Sequence, residues 1–318
     1  MISPASILHH VNKLDQSRTN VKGLPHTNGC LDYPANSPMQ PEFYIPDGAD
    51  PSTAKQRCTH LGIGAHPDDL EFMAYHGISH GYEQAQPSFG GIICTNGAGC
   101  SRAGKYSHCS DEEMILLRAE EQRAAARIGR YTFVQQLGLQ SATVKDRATR
   151  DQLTDTIADL IAHCRPEVIY THNPLDSHST HVAVCQTVVN AVRLLAPEMR
   201  PKQLLGCEVW RGLDWVPQAD KVALDVSANP ELAERLHACF DSQIAGGKNY
   251  GQAVVGRSLA NATFYQAREP DGPARIWFAL NLSRLMKDES LALASFTESL
   301  LQRFHQSIAD NLRELPHV

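Results

Sequence analysis

No apolar stretch in the 318-residue chain approaches the roughly 20 residues that a membrane-spanning helix needs. The first residues, MISPASILHHVNKLDQS, lack the basic start and continuous apolar middle of a secretory leader. No Cys-x-x-Cys pair occurs, and the nine cysteines are an odd number. That argues against a disulfide framework and for reduced thiols in a cytoplasmic compartment, several of them buried as small apolar residues. Asn261-Ala-Thr263 and Asn281-Leu-Ser283 have glycosylation spacing, which without a leader reads as chance. Lys and Arg form no long run and the formal charge is −6. That excludes the basic footprint of a nucleic-acid or anionic-membrane binder and points to a small-molecule substrate.

What is present is a 42% hydrophobic chain, enough for one large α/β domain with appendages. Residues 1–57 are polar and proline-rich and read as an irregular N-terminal arm, either a tail or a strap anchored by Tyr33, Phe43, Tyr44 and Ile45. Strand and helix signals then alternate. Short apolar runs at 59–65, 89–95, 131–137, 167–171, 204–210 and 221–226 read as strands. Between them lie helical patterns at 72–82, from Ser110 to near Gly129, at 153–161 and at 182–192. Ser110 and Glu113 have capping-box spacing. This alternation predicts a doubly wound, mostly parallel sheet in residues 58–265. The chain beyond about 230 reads as largely helical, with amphipathic patterns at 232–244 and 288–315. Residues 266–318 are expected to form a helical C-terminal extension packed on the same domain, capping it or making a homo-oligomer contact.

In such sheets ligands bind beyond the carboxyl ends of the strands, and three polar clusters fall there. Ala65-His66-Pro67-Asp68-Asp69 follows the first strand. An imidazole and two carboxylates on one proline-stiffened turn suit a metal with a spare base; the alternative is a turn whose Asp68 or Asp69 merely caps the next helix. Thr95-Asn96-Gly97 closes the second strand. His172-Asn-Pro-Leu-Asp176-Ser-His178-Ser-Thr-His181 follows the fourth, with His178 and His181 three apart at a helix start and so on one face. One of the pair can bind metal while the other stays free for proton transfer; alone, such a loop would read as solvated histidines. Gly99 to Lys105 has P-loop spacing, but Tyr106 replaces the required hydroxyl residue.

The first and third clusters resemble the A-H-P-D-D turn and the later H-x-x-H motif of PIG-L/LmbE zinc deacetylases. Arg118-Ala-Glu-Glu121-Gln-Arg-Ala-Ala125 resembles that family's R-x-x-E-x-x-x-A helix. The resemblance implies one zinc held by His66, Asp69 and His181, with Fe²⁺ or another divalent ion as the alternative. It implies Asp68 as general base and His178 as the protonated partner that stabilises the oxyanion and protonates the leaving amine. Leu70 stands where the family often has Glu, Asn96 where it has Asp, and His76-Gly77 where it has Gly-Gly.

Substrate contacts are expected from Asn96, Arg102, Arg118, Asp176, Glu208, Trp210 and Arg211, with Lys105 and Tyr106 beside Arg102. Arg118 either pairs with Glu121 or reaches the ligand; Trp210 is either a stacking wall or core. Asp176 and His172 either orient a ligand residue or cap the loop. Lys248, Tyr250 and Arg257 lie in a polar stretch that the sequence does not place. The family implies hydrolysis of an N-acetylglucosamine-type amide or a related small N-acyl compound. The alternatives are a hydratase acting on a small unsaturated acid and a non-catalytic sugar-binding module.

Overall fold

A computed structural model describes residues 39–86, 88–265 and 272–314. Most of the expected N-terminal arm, Tyr33 included, lies outside these residues.

Eight strands form one sheet: β1 (Glu42–Tyr44), β2 (His60–Gly64), β3 (Phe89–Thr95), β4 (Phe133–Leu139), β5 (Val168–His172), β6 (Gln203–Cys207), β7 (Lys221–Asp225) and β8 (Ile276–Asn281). Their order is β1-β4-β3-β2-β5-β6-β8-β7. The central five are parallel; β1, at one edge, and β8 run against their neighbours. The helices that matter for the site are α1 (Asp69–Met73), α2 (Tyr75–Glu83), α3 (Asp111–Ile128), α4 (Arg147–Cys164), α5 (Ser179–Leu194), α6 (Pro230–His237), α7 (Tyr250–Tyr265) and α8 (Leu293–Arg313).

The sheet buries both faces, as parallel strands covered by crossover helices must. Leu61, Ile63, Ile92 and Phe133 pack with Ile157 of α4 and Val184 and Val188 of α5. Leu70, Ile78, Ile93, Val134 and Tyr170 form the opposite core with Leu232 and Leu236 of α6. Glycine at 62 lets α1 sit close on the sheet: a Cβ there would stand 2.8 Å from both Leu70 and Phe89. Ser110 and Glu113 make the reciprocal capping box that starts α3.

Two strands appear where none was expected. Residues 42–44 of the N-terminal arm pair with β4 as an edge strand. Residues 276–281, within the expected helical extension, form β8, inserted between β6 and β7. The run Ile-Trp-Phe-Ala-Leu is buried on both sides, so it shows no alternation to mark it as a strand. The expected helix at 72–82 is two, offset at Ala74. The strand expected to run to Trp210 ends instead at Cys207, releasing Glu208–Trp210 into a loop. All eight cysteines among the described residues are unpaired. No helix among the described residues is long and apolar enough to cross a membrane.

From β2 the chain winds outward through β3 to β4, then returns to place β5 on the other side of β2. The crevice above β2 and β5 is therefore the topological switch point of the sheet.

Candidate metal centre and its cavity

The β2 turn brings its two carboxylates to different tasks. Asp68 takes φ 95°, a left-handed conformation that costs a non-glycine residue roughly 1–2 kcal/mol. It precedes α1 but makes no capping hydrogen bond, so the capping alternative does not describe it. Its N–H donates to Gln122 Oε1 at 3.2 Å. Its Oδ2 lies 3.2 Å from Arg118 Nη2 and accepts from the Tyr250 hydroxyl at 3.0 Å. Asp69, the first residue of α1, turns back instead: Oδ2 accepts from the His66 N–H at 2.7 Å and lies 3.2 Å from His66 Nδ1.

The β5 loop closes on the same point. His181 Nε2 lies 3.2 Å from His66 Nδ1 and 3.4 Å from Asp69 Oδ1. His178 packs edge-on to His66, with ring centroids 4.9 Å apart. His172 stacks on His181 at 3.8 Å; its Nε2 accepts from the Ala65 N–H at 2.9 Å and lies 3.2 Å from Asp69. Two overlapping ligand groups result, His66-His178-His181 and Asp69-His172-His181. Behind His181, Asp176 Oδ2 stands 3.4 Å from Nδ1, while its carboxylate also accepts from the His178 and Trp210 N–H groups.

Arg118 anchors the floor. It is 1% exposed, pairs with Glu121 at 3.1 Å, reaches Asp68 and donates to the Pro67 carbonyl. Glu121 in turn accepts from Ser242 N and Oγ at 2.7 and 2.8 Å. Arg118 thus makes the Glu121 pair and faces the site as well.

Charge in the cluster follows from burial and neighbours. Burial pushes the Asp69 carboxyl up, but His181 and His172 outweigh it and hold it well below its ordinary value. Burial raises Asp68, partly offset by Arg118. Burial, then His181 and His66, push His178 down to about 4. Burial first, and the two neighbouring imidazoles second, thus disfavour the expected protonated form of His178 in the free protein. Burial, with Asp68, raises the Tyr250 phenol well above its usual range, so it remains a donor.

The cluster opens into a cavity of about 440 Å³. Of the expected substrate contacts, Arg118 and Trp210 line it. Asn96 instead caps its own turn at Ala98 N, Arg102 pairs with Asp111, and Lys105 and Tyr106 are tied to Asp241. Glu208 is fully buried and clips β6 to β8, accepting from Leu213 N, Phe278 N and Asn261. Arg211 is exposed and Asp176 sits behind the histidines; neither lines the cavity. Lys248, Tyr250 and Arg257 do line it, together with Phe72, Lys145, Gln243 and Trp277, which the sequence did not single out.

Solved structures that share this fold include three of distinct description. The conserved protein TT1542 from Thermus thermophilus aligns with a TM-score of 0.52 at 19% identity, over 70% of this chain and 94% of its own. GalB, the 4-carboxy-2-hydroxymuconate hydratase from Pseudomonas putida, aligns at 0.51 and 14%, over 71% and 96%. N,N′-diacetylchitobiose deacetylase from Pyrococcus horikoshii aligns at 0.51 and 15%, over 72% and 85%. No curated protein sequence matches the chain. Residues 61–192 match the family model PIG-L, GlcNAc-PI de-N-acetylase, a stretch that includes both strand-end loops and Arg118. Over residues 61–192 the chain is therefore similar to the PIG-L family, whose model is that of a de-N-acetylase, an amide-bond hydrolase.

Proposed function

We propose that the protein is a zinc-dependent N-deacetylase of an N-acetylated amino sugar of the N-acetylglucosamine type, or of a related small N-acyl compound. The observation that carries this reading is that His66 Nδ1 and His181 Nε2 stand 3.2 Å apart with the Asp69 carboxylate between them, Oδ2 at 3.2 Å from His66 and Oδ1 at 3.4 Å from His181. Donors bonded tetrahedrally at about 2.0–2.1 Å to one cation stand about 3.3–3.4 Å apart, close to the spacing of the two nitrogens, and one oxygen of the Asp69 carboxylate would complete the set. His172 is the poorer ligand, because its Nε2 lone pair already accepts from Ala65 N–H. Three protein ligands and no cysteine favour a catalytic rather than a structural zinc. Iron or another divalent ion suits the same donors.

When bound, the cation supplies Lewis acidity, polarising the amide carbonyl and making water a better nucleophile near neutral pH. The rest falls to the chain. Arg118 and Tyr250 both hold Asp68 through Oδ2, which leaves Oδ1 to take the attacking water's proton. Neutral His178 keeps one N–H to donate to the carbonyl oxygen as charge gathers there. Asp68 then returns its proton to the departing nitrogen, releasing an amine and a carboxylate.

A second reading, addition of water across the double bond of a small unsaturated acid, is favoured by the lysine and arginine side chains on the cavity wall. A sugar-binding module without chemistry would have no use for Asp68 held beside the donor set. An amine-release assay on a panel of N-acetylated sugars, run beside an absorbance assay for loss of a conjugated double bond, separates the three. Amine release supports the proposal; hydration without amine release, or neither reaction, refutes it.

A further inference from the structure

The chain carries a formal charge of −6, yet the cavity wall inverts that balance. Its charged residues, histidines aside, are Arg118, Lys145, Lys248 and Arg257 against Asp68 and Asp69. Arg118 is committed to Asp68 and Glu121, and Asp69 to the histidines. Lys145, Lys248 and Arg257 have no ion pair to a carboxylate among the described residues. Glu208, whose charge Arg257 feels, is already occupied by Leu213, Phe278 and Asn261.

Lys145 is exposed, whereas Lys248 and Arg257 are held in place. Lys248 Nζ donates to Gln243 Oε1 at 2.6 Å and lies 5.3 Å from the Trp210 ring centroid. Arg257 donates to the Val209 carbonyl and lies 5.5 Å from the Trp277 ring centroid. An ammonium has three N–H donors and a guanidinium five, so most of their capacity is unspent. Positive groups gathered in a concave, partly apolar site focus an attractive field on an anion. Charge-assisted hydrogen bonds to it are among the stronger polar contacts.

We propose that Lys248 and Arg257, held on the adjacent residues Trp210 and Val209, form an anion subsite, and that the natural substrate carries a phosphate or carboxylate outside the group that reacts. The assignment of the reacting group rests on the deacetylase reading; the subsite does not require it.

Calorimetric titration of the zinc-loaded protein tests the subsite without catalysis. The ligands are N-acetylglucosamine, its 1- and 6-phosphates, and N-acetylmuramic acid, whose carboxylate replaces the phosphate. At least one anionic sugar is expected to bind at least tenfold more tightly than the neutral sugar, and which one does so names the anion. Lys248→Gln and Arg257→Gln should each cut that advantage about 10-fold or more, and Lys248→Arg should restore part of it. An advantage that survives both glutamine variants would place the anion on the metal and overturn the subsite, as would equal affinity for charged and neutral sugars. Amine release from the same ligands is scored separately. Tight, lysine-dependent anion binding without amine release leaves the subsite standing and removes the deacetylase reading.

Discussion

Tyr250→Phe removes one oxygen and nothing else from the site. The hydroxyl donates to Asp68 Oδ2 at 3.0 Å, while the ring packs edge-on against Phe72 at 4.7 Å, a contact phenylalanine keeps. A hydrogen bond to a charged group contributes about 1.5–3 kcal/mol. Here the cavity admits water that can replace the phenol, and Arg118 still holds the same oxygen. About 1–2 kcal/mol should therefore be lost in the transition state, a fall of about 5- to 30-fold in kcat. KM should change little, because Tyr250 acts through Asp68, and Tm should stay within about 3 °C for a chain of this size. Steady-state kinetics on whichever N-acetyl sugar is hydrolysed, with a thermal melt beside it, decides the matter. An unchanged kcat would refute the positioning of Asp68 by Tyr250. A rise in KM alone would make Tyr250 a substrate contact instead.

Asp176→Asn keeps the shape of the carboxylate behind His181 Nδ1 but removes its charge. Metal affinity, read by competition with a chelator, should weaken about 10- to 100-fold, and an unchanged affinity would deny Asp176 this orienting role. Gly97 has φ +71°, and a Cβ there would lie 3.1 Å from Arg118 Nε. Gly97→Ala should cost about 1–2 kcal/mol in backbone strain alone and lower Tm by about 2–6 °C, whereas an unshifted melt would contradict that strain. His237, in α6, is held by burial near 4 against an ordinary 6.5. Above pH 6.5 the folded and unfolded chains hold it alike. As pH falls from about 6.5 towards 4 the unfolded chain gains a proton that the folded one refuses, so up to about 3 kcal/mol of stability is lost. Urea melts at pH 7 and pH 5 should show a flatter acid slope for His237→Gln than for wild type; equal slopes would contradict this.

The two loops were legible because each follows a short buried strand, where an apolar run stops and polar residues begin. That His66, Asp68, Asp69, His178 and His181 meet follows from the return of β5 to the side of β2, which alternating strands and helices already suggest. Less was readable where residues act across long separations. Lys248, Arg257 and Trp277 reach the cavity from the chain beyond residue 240, and no local period marks which face they will serve. Glu208 looked like a pocket acid because it follows β6, yet it is spent on the backbone of β8, a strand hidden by its unbroken apolar run. Asp176 sat in the histidine loop as one polar residue among several; only the fold places it behind His181 rather than in the cavity.

Asp68 acting as the base, and not as a ligand, is the central claim. Metal content and amine release should be measured on the same preparations of wild type and Asp68→Asn. One divalent ion per chain in both, with amine release reduced about 10²- to 10⁴-fold in the variant, is the expected result. Loss of the metal on that substitution, or undiminished amine release, would contradict it.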